Sequence, residues 1–176
     1  MAEKGILIAG TLGADETARL ARQHAEELAK FYSNDFLNEA FALGGSDDEI
    51  ITAAERVLSE NGLISRLDKK GFMAALWDAA EYYGCGLEVE MDRIPVAPQT
   101  VEICEQLELD PYELASGGAL LIITEDPIGF QFKLSEFGVR AGVVGRLRDS
   151  AARIMRNGDR VRYLNKPRGS FRGGTI

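Results

Sequence analysis

Apolar positions along this chain recur in two periods, one of strands and one of helices. Gly5-Ile6-Leu7-Ile8-Ala9-Gly10 is a short apolar run bounded by glycines, the pattern of a strand buried on both faces. After the turn Thr11-Leu12-Gly13, a cap near Asp15 opens a helix with Ala18, Ala21, Ala25, Leu28 and Ala29 on one stripe. A second helical piece over Asp35–Leu43 ends at Gly44-Gly45. Ser46-Asp47-Asp48-Glu49 then forms a capping box before the stripe Ile50, Ala53, Ala54, Val57 and Leu58, which Asn61-Gly62 stops.

The middle of the chain continues in the same way. Gly71–Tyr83 reads as a helix with Phe72, Ala75, Leu76, Ala79 and Ala80 inward and Gly84 as its stop. Leu87, Val89 and Met91 alternate with Glu88, Glu90 and Asp92, which predicts a strand with one wet face. Ile94-Pro95-Val96-Ala97-Pro98 is an extended connector, because each proline disfavours helix in the residue before it. Thr100–Leu107 is the next helix, and Asp110-Pro111 starts a short helical turn.

Ala119-Leu120-Leu121-Ile122-Ile123 gives the strongest buried-strand signal of the chain. Asp126-Pro127 opens a helix reaching Phe137. Three short strands follow, at Gly142–Gly145, Arg153–Met155 and Arg160–Tyr163, the last two joined by the hairpin turn Asn157-Gly158. Helices alternate with strands early and short strands come late, so the expected fold is α/β of the α+β type, one mixed sheet flanked by helices. Residues 5–168 form the expected domain, and 169–176 a flexible basic tail.

Length and charge narrow the partners. At 176 residues and 45% hydrophobic content the chain suits a single globular domain. No apolar run approaches the ~20 residues of a membrane span, and the N-terminus lacks the features of a signal peptide, so a cytoplasmic protein is expected. The net charge of −8 hides an asymmetry. Residues 1–139 carry 10 Lys/Arg against 26 Asp/Glu, a balance of −16, whereas residues 140–176 carry 10 against 2, a balance of +8. An acidic body excludes nonspecific nucleic-acid binding. The basic end suits a phosphate ligand, an acidic partner or the chain's own acidic body.

Several segments together resemble a known family. They are Gly84-Cys85-Gly86-Leu87-Glu88-Val89 followed by Arg93-Ile94-Pro95-Val96, and the helix Thr100–Glu105 with Leu109-Asp110-Pro111-Tyr112-Glu113-Leu114. Ala115-Ser116-Gly117-Gly118-Ala119-Leu120-Leu121 and Gly142-Val143-Val144-Gly145-Arg146-Leu147 complete the set with the Asn157-Gly158 hairpin. In order and spacing these look like the C-terminal domain shared by aminoimidazole ribonucleotide (AIR) synthetase, the hydrogenase maturation protein HypE, thiamine-monophosphate kinase and selenophosphate synthetase. The likeness is strongest to the AIR synthase-related branch near HypE.

The resemblance implies that ATP and magnesium are held by a separate ATP-binding domain, and the expectation is a chain without that half. One departure stands out. Where the family has a His-Asp-x-Thr-x-Gly-Gly segment, this chain reads Ser65-Arg66-Leu67-Asp68-Lys69-Lys70-Gly71, with Arg66 at the aspartate position and Lys70 at the first glycine. The C-terminus Arg172-Gly173-Gly174-Thr175-Ile176 also lacks the cysteine on which HypE carries its thiocarboxamide.

Three segments are candidates for ligand contact. Gly10, Thr11 and Gly13 lie between a strand and a helix start, which suits either a phosphate or a plain turn; Asp15 and Glu16 weigh against an anion. Ser116, Gly117 and Gly118 allow close approach to backbone donors, or tight packing against a helix; Ser116 has no neighbouring base that would make it a nucleophile. Arg66 and Lys70, with Lys69, suit an anionic ligand or an acidic partner, or the solvated start of a helix.

The remaining candidates have plainer readings. Glu88, Glu90 and Asp92 fit a solvent-facing strand better than a metal, and no metal site is expected. Cys85, Cys104 and Trp77 read as core residues, and His24 as structural. No catalytic residue can be named from the sequence.

Three functions follow. The chain is the non-ATP-binding half of a hydrogenase-maturation-like or purine-biosynthesis-like ATP-dependent enzyme, a catalytically inactive small-ligand or regulatory binding module, or an oligomerising interaction protein. The expected partners are a second copy or a separate ATP-binding domain or subunit, and a small phosphorylated ligand. The isolated chain is not expected to hydrolyse ATP.

Overall fold

The computed structural model describes residues 3–45, 48–58, 62–67 and 70–167. Ser46 and Asp47 of the predicted capping box, Asn61 of the predicted stop, Asp68, Lys69 and the tail from 168 onward lie outside the described residues. Among the described residues seven strands form one sheet: β1 (Gly5–Gly10), β2 (Leu63–Leu67), β3 (Gly86–Glu90), β4 (Ser116–Thr124), β5 (Ala141–Arg148), β6 (Arg153–Asn157) and β7 (Arg160–Tyr163). The helices are α1 (Ala14–Gln23), α2 (Ala25–Leu28), α3 (Asn34–Phe41), α4 (Asp48–Val57), α5 (Gly71–Tyr83), α6 (Pro98–Gln106) and α7 (Pro127–Glu136). A 3-10 turn, Met91–Arg93, follows β3.

The strand order is β2-β4-β1-β5-β3-β6-β7. Neighbours run antiparallel except β3 and β6, which are parallel. The architecture is therefore the mixed sheet flanked by helices that the hydrophobic pattern predicts.

β1 and β4 are dry on both faces, which explains why both read as unbroken apolar runs. Ile6, Ile8, Leu121 and Ile123 pack with Phe72 and Leu76 of α5 and with Leu87 and Val89 of β3. On the opposite face, Leu7, Ala9, Leu120 and Ile122 pack with Ile51 and Ala54 of α4 and with Phe130 and Leu134 of α7. Each large aliphatic side chain buried in this way contributes ~1.5–3 kcal/mol. A third cluster joins α1, α2, α3 and α6 through Leu20, Ala21, Leu28, Leu37, Ala40, Ile103 and Cys104.

The structure corrects several local expectations. The helix predicted through Ala29 leaves helical geometry at His24 (φ −108, ψ 21), so α1 and α2 are separate. Its N-cap is Gly13 in left-handed geometry rather than a residue near Asp15; Asp15 lies in the first turn and accepts from the Gly45 N–H at 2.9 Å. Asp110-Pro111 opens a plain turn, closed by Tyr112 N–H donating to Asp110 Oδ1 at 2.9 Å and Glu113 N–H donating to the Asp110 carbonyl at 3.1 Å. Ser116-Gly117-Gly118 is the start of β4 rather than a turn before it, and the register against β2 shifts there.

Two further corrections concern strands. The region expected to be a solvated helix start holds β2, antiparallel to β4, with Arg66 opposite Leu120 and Leu67 buried. Its partner is about 50–60 residues away in the chain, a pairing that no local pattern encodes. The strand predicted to have a wet face, β3, runs between β5 and β6. Glu88 is only 8% exposed there and takes ion pairs from Arg148 at 2.6 Å, from Arg146 at 3.5 Å and from Arg156. The polar alternation on β3 reports a cross-strand ion cluster instead of solvent, and each guanidinium comes from a different position on the neighbouring strands.

The hydrogen bond from Arg156, with the charges of Arg148 and Arg146, holds the Glu88 carboxyl below its usual range against the opposing effect of burial. A depressed folded-state pKa contributes stability above the unfolded value of ~4.3 and loses it as pH falls through the folded value. Glu88→Gln is expected to destabilise the fold by about 2 kcal/mol at pH 7 in urea titrations. The gap to wild type should close as pH falls through that depressed value.

Candidate functional site

The three candidate segments converge at one end of the sheet. β1 ends at Gly10, opposite Ala119 of β4, and β2 ends at Leu67, opposite Ser116. α1 and α5 both begin at this end, so their N-terminal amides face the same region. Gly13 N–H donates to Ser116 Oγ at 2.8 Å, which joins the first candidate segment to the second. Lys70 is the N-cap residue of α5, and the following Gly71 lies close to the Glu113 and Leu114 carbonyls that precede Ser116. Thr11 is half-buried beside Gly10, and Arg66 is exposed on β2, one residue before its register shift.

Close packing accounts for the small residues here. A side chain at Gly10, whose φ is +84, would collide with the Gly118 carbonyl, whereas one at Gly117 would meet the tip of the Asp15 side chain, which can shift. Ser116 is fully buried, accepting from Gly13 and donating to the Leu114 carbonyl at 3.1 Å. Its hydroxyl is spent on structure. Thr17 Oγ1 donates to the Gly13 carbonyl at 2.7 Å and shares a hydrogen bond with Thr100 Oγ1 at 2.8 Å, tying α1 to α6.

A groove of about 640 Å³ adjoins this junction and lies within the size range of small-molecule sites. Lys70, Tyr112, Glu113, Arg162, Met155 and Lys166 are among its lining residues. Lys70, Arg162 and Lys166 set three cations against the carboxylates of Asp110 and Glu113. Lys70 Nζ also reaches Asp78 Oδ2 at 3.1 Å, and Arg162 donates to Met91 Sδ at 3.3 Å. Burial pushes the Tyr112 phenol up, so it stays a neutral hydrogen-bonding group at physiological pH.

Sequence reasoning singled out Lys70 but missed Tyr112, Arg162 and Lys166. The Leu109–Leu114 connector was visible as a motif, but its position against the β6–β7 hairpin was not. A second cavity of about 560 Å³ lies between β1, β5 and β3, with Glu3, Glu88, Glu90 and Glu125 against Arg93 and Arg146. Its excess of carboxylates makes it a poor phosphate site.

The remaining sequence candidates occupy structural positions. Cys85 and Cys104 are buried, and burial pushes the Cys104 thiol up to about 11, which makes it a poor nucleophile. His24 Nδ1 lies 3.4 Å from Glu27 Oε2 at the α1–α2 break. Trp77 is half-buried and carries the Arg153 guanidinium 3.8 Å from its ring centroid, with Glu81 as the arginine's ion partner. Among the described residues no group of three or more His, Cys, Asp or Glu side chains is placed to hold a metal ion. No helix among them is long and apolar enough to cross a membrane.

Ser116→Ala leaves the Gly13 amide without its buried acceptor, an expected loss of about 1–3 kcal/mol by urea denaturation. Gly10→Ala combines strained geometry with a backbone collision and is expected to cost more than Ser116→Ala in the same measurement.

No family model matches the sequence. Carbamoyl dehydratase HypE of Rhodobacter capsulatus is 32% identical over 94 residues, 53% of this chain and 26% of that protein. Carbamoyl dehydratase HypE of Rhizobium leguminosarum bv. viciae is 22% identical over 146 residues, 81% of this chain and 40% of its own length. The crystal structure of E. coli HypE superposes with a TM-score of 0.72 at 25% identity, covering 95% of this chain and 51% of that one. HypE in its complex with HypF gives 0.70 at 19% identity over 93% and 53% of the two chains. Thiamine-monophosphate kinase from Aquifex aeolicus gives 0.55 at 14% identity over 87% and 52%. The chain thus spans less than half of the curated relatives and about half of the solved structures. In sequence and fold the chain is thus similar to HypE, and it shares its fold with thiamine-monophosphate kinase.

Proposed function

We propose that this chain supplies the non-ATP-binding half of a HypE-like, ATP-dependent enzyme in the cytoplasm and forms one wall of its substrate cleft. The observation that carries this reading is the 640 Å³ groove beside the α5 N-terminus, where Lys70, Arg162 and Lys166 bring three cations together. A phosphorylated substrate suits that charge and size. The match to about half the length of solved relatives supports a role for a second domain or subunit. HypE's complex with HypF supports a protein partner.

Magnesium-bound ATP does not fit the described residues as a resident group. Asp15 and Glu16 place negative charge in the first turn of α1, where nucleotide phosphates would otherwise meet a helix N-terminus. Nucleotide binding and phosphate activation therefore fall to the other half, and Lys70, Tyr112 and Arg162 orient the substrate against it.

A second reading, a binding module without catalysis, is favoured by Arg66 and Lys70 standing where the resembled family has an aspartate and a glycine. Calorimetry and thermal shift against ATP, ADP, AMP and phosphoribosyl compounds, with and without magnesium, separate the two. The chain would be tested alone and with the ATP-binding half of a HypE. At 100 times its dissociation constant a ligand stabilises the fold by about 2.7 kcal/mol. For the half-enzyme, the shift and ATP turnover should require the added half, and Lys70→Glu should weaken both. A shift with the chain alone and no turnover with the added half would favour the module. No response in either setting would sink both readings.

A further inference from the structure

We propose that β7 is a docking edge for an extended acidic segment of another polypeptide, which adds to the sheet as a further strand. β7 ends the strand order, and its outer side has no strand partner among the described residues. All four of its residues are exposed, with Val161 at 50% and Tyr163 at 67%. Alternate residues of an edge strand turn their N–H and C=O outward, a template for β-addition. The chain leaving β7 does not cover this edge at first: Leu164 is buried, and its N–H donates to the Arg153 carbonyl.

The two edges of the sheet differ. β2 is bulged between Arg66 and Leu67, a feature that blunts strand addition, whereas β7 pairs with β6 in unbroken register from Ile154–Tyr163 to Asn157–Arg160. Alternation along β7 places Arg160 and Arg162 on one face and Val161 and Tyr163 on the other. The matching strand has acidic residues on the first face and apolar ones on the second.

Charge also chooses between occupants. Two copies paired through β7 about a two-fold axis would set Arg160 and Arg162 of one against those of the other, and like charges across strands destabilise pairing. An acidic strand removes that conflict. Arg162 and Tyr163 also line the groove, so the test variants are placed at Arg160 and Val161, which do not, and failure of the enzyme reading leaves this inference standing.

The test is fluorescence anisotropy of the whole chain with a labelled, acetylated peptide alternating Glu and Val, beside its Lys-Val counterpart. The acidic peptide should bind, with the basic one weaker by about tenfold, as two exposed ion pairs of ~0.7 kcal/mol each require. Amide shifts in NMR spectra should centre on β7. Val161→Pro removes an edge N–H and should abolish binding, with circular dichroism checking that the variant folds. Arg160→Glu is a surface change and should weaken the acidic peptide and strengthen the basic one. Absence of binding, equal binding of both peptides, or binding that survives both substitutions would overturn the proposal. A dimer seen by sedimentation that Val161→Pro dissolves would also overturn it, in favour of self-pairing.

Discussion

The structure depends on the pairing of β1 with β4, two strands with both faces out of water. Six residue pairs from Gly5–Thr124 to Gly10–Ala119 hold the ladder, and the side chains of Ile6 to Ala9 and Ala119 to Ile123 are fully buried. A two-sided apolar ladder needs a layer on each side. α5 covers one face, and α4 with α7 covers the other. The ladder also fixes where β1 and β4 meet α1 and β2, and so builds the junction at Gly10, Gly13 and Ser116.

What could be read from the sequence follows the range of the interactions involved. β1, β4, α5 and the β6–β7 hairpin announce themselves through local periodicity or turn chemistry, and each stands where the pattern puts it. β2 does not, because Leu63–Leu67 becomes a strand only by meeting β4 far along the chain. Glu88 misleads for a related reason. Solvent and a cross-strand cluster of arginines both satisfy a carboxylate, and the local sequence cannot distinguish them.

The candidate site divides in the same way. Gly10–Gly13 and Ser116–Gly118 were visible as small-residue segments, and the structure joins them through the Gly13–Ser116 hydrogen bond. Gly10 has a packing explanation in its collision with the Gly118 carbonyl. The groove was less legible, since Lys70, Tyr112 and Arg162 come from three separate stretches of chain. A shared family pattern marks such stretches, but only folding brings them to one surface.

The parallel pairing of β3 with β6 bears on how the chain reaches this state. Leu87 lies beside Arg153 across a long intervening stretch that contains α6, β4, α7 and β5. The β6–β7 hairpin can form early from its own neighbours, but its attachment must wait until that long loop has closed. Loop closure thus favours attaching the basic end of the sheet after the apolar centre. During synthesis, the ladder of β1 and β4 has emerged before β6 exists, so the chain can complete its dry centre first and receive its charged edge afterwards.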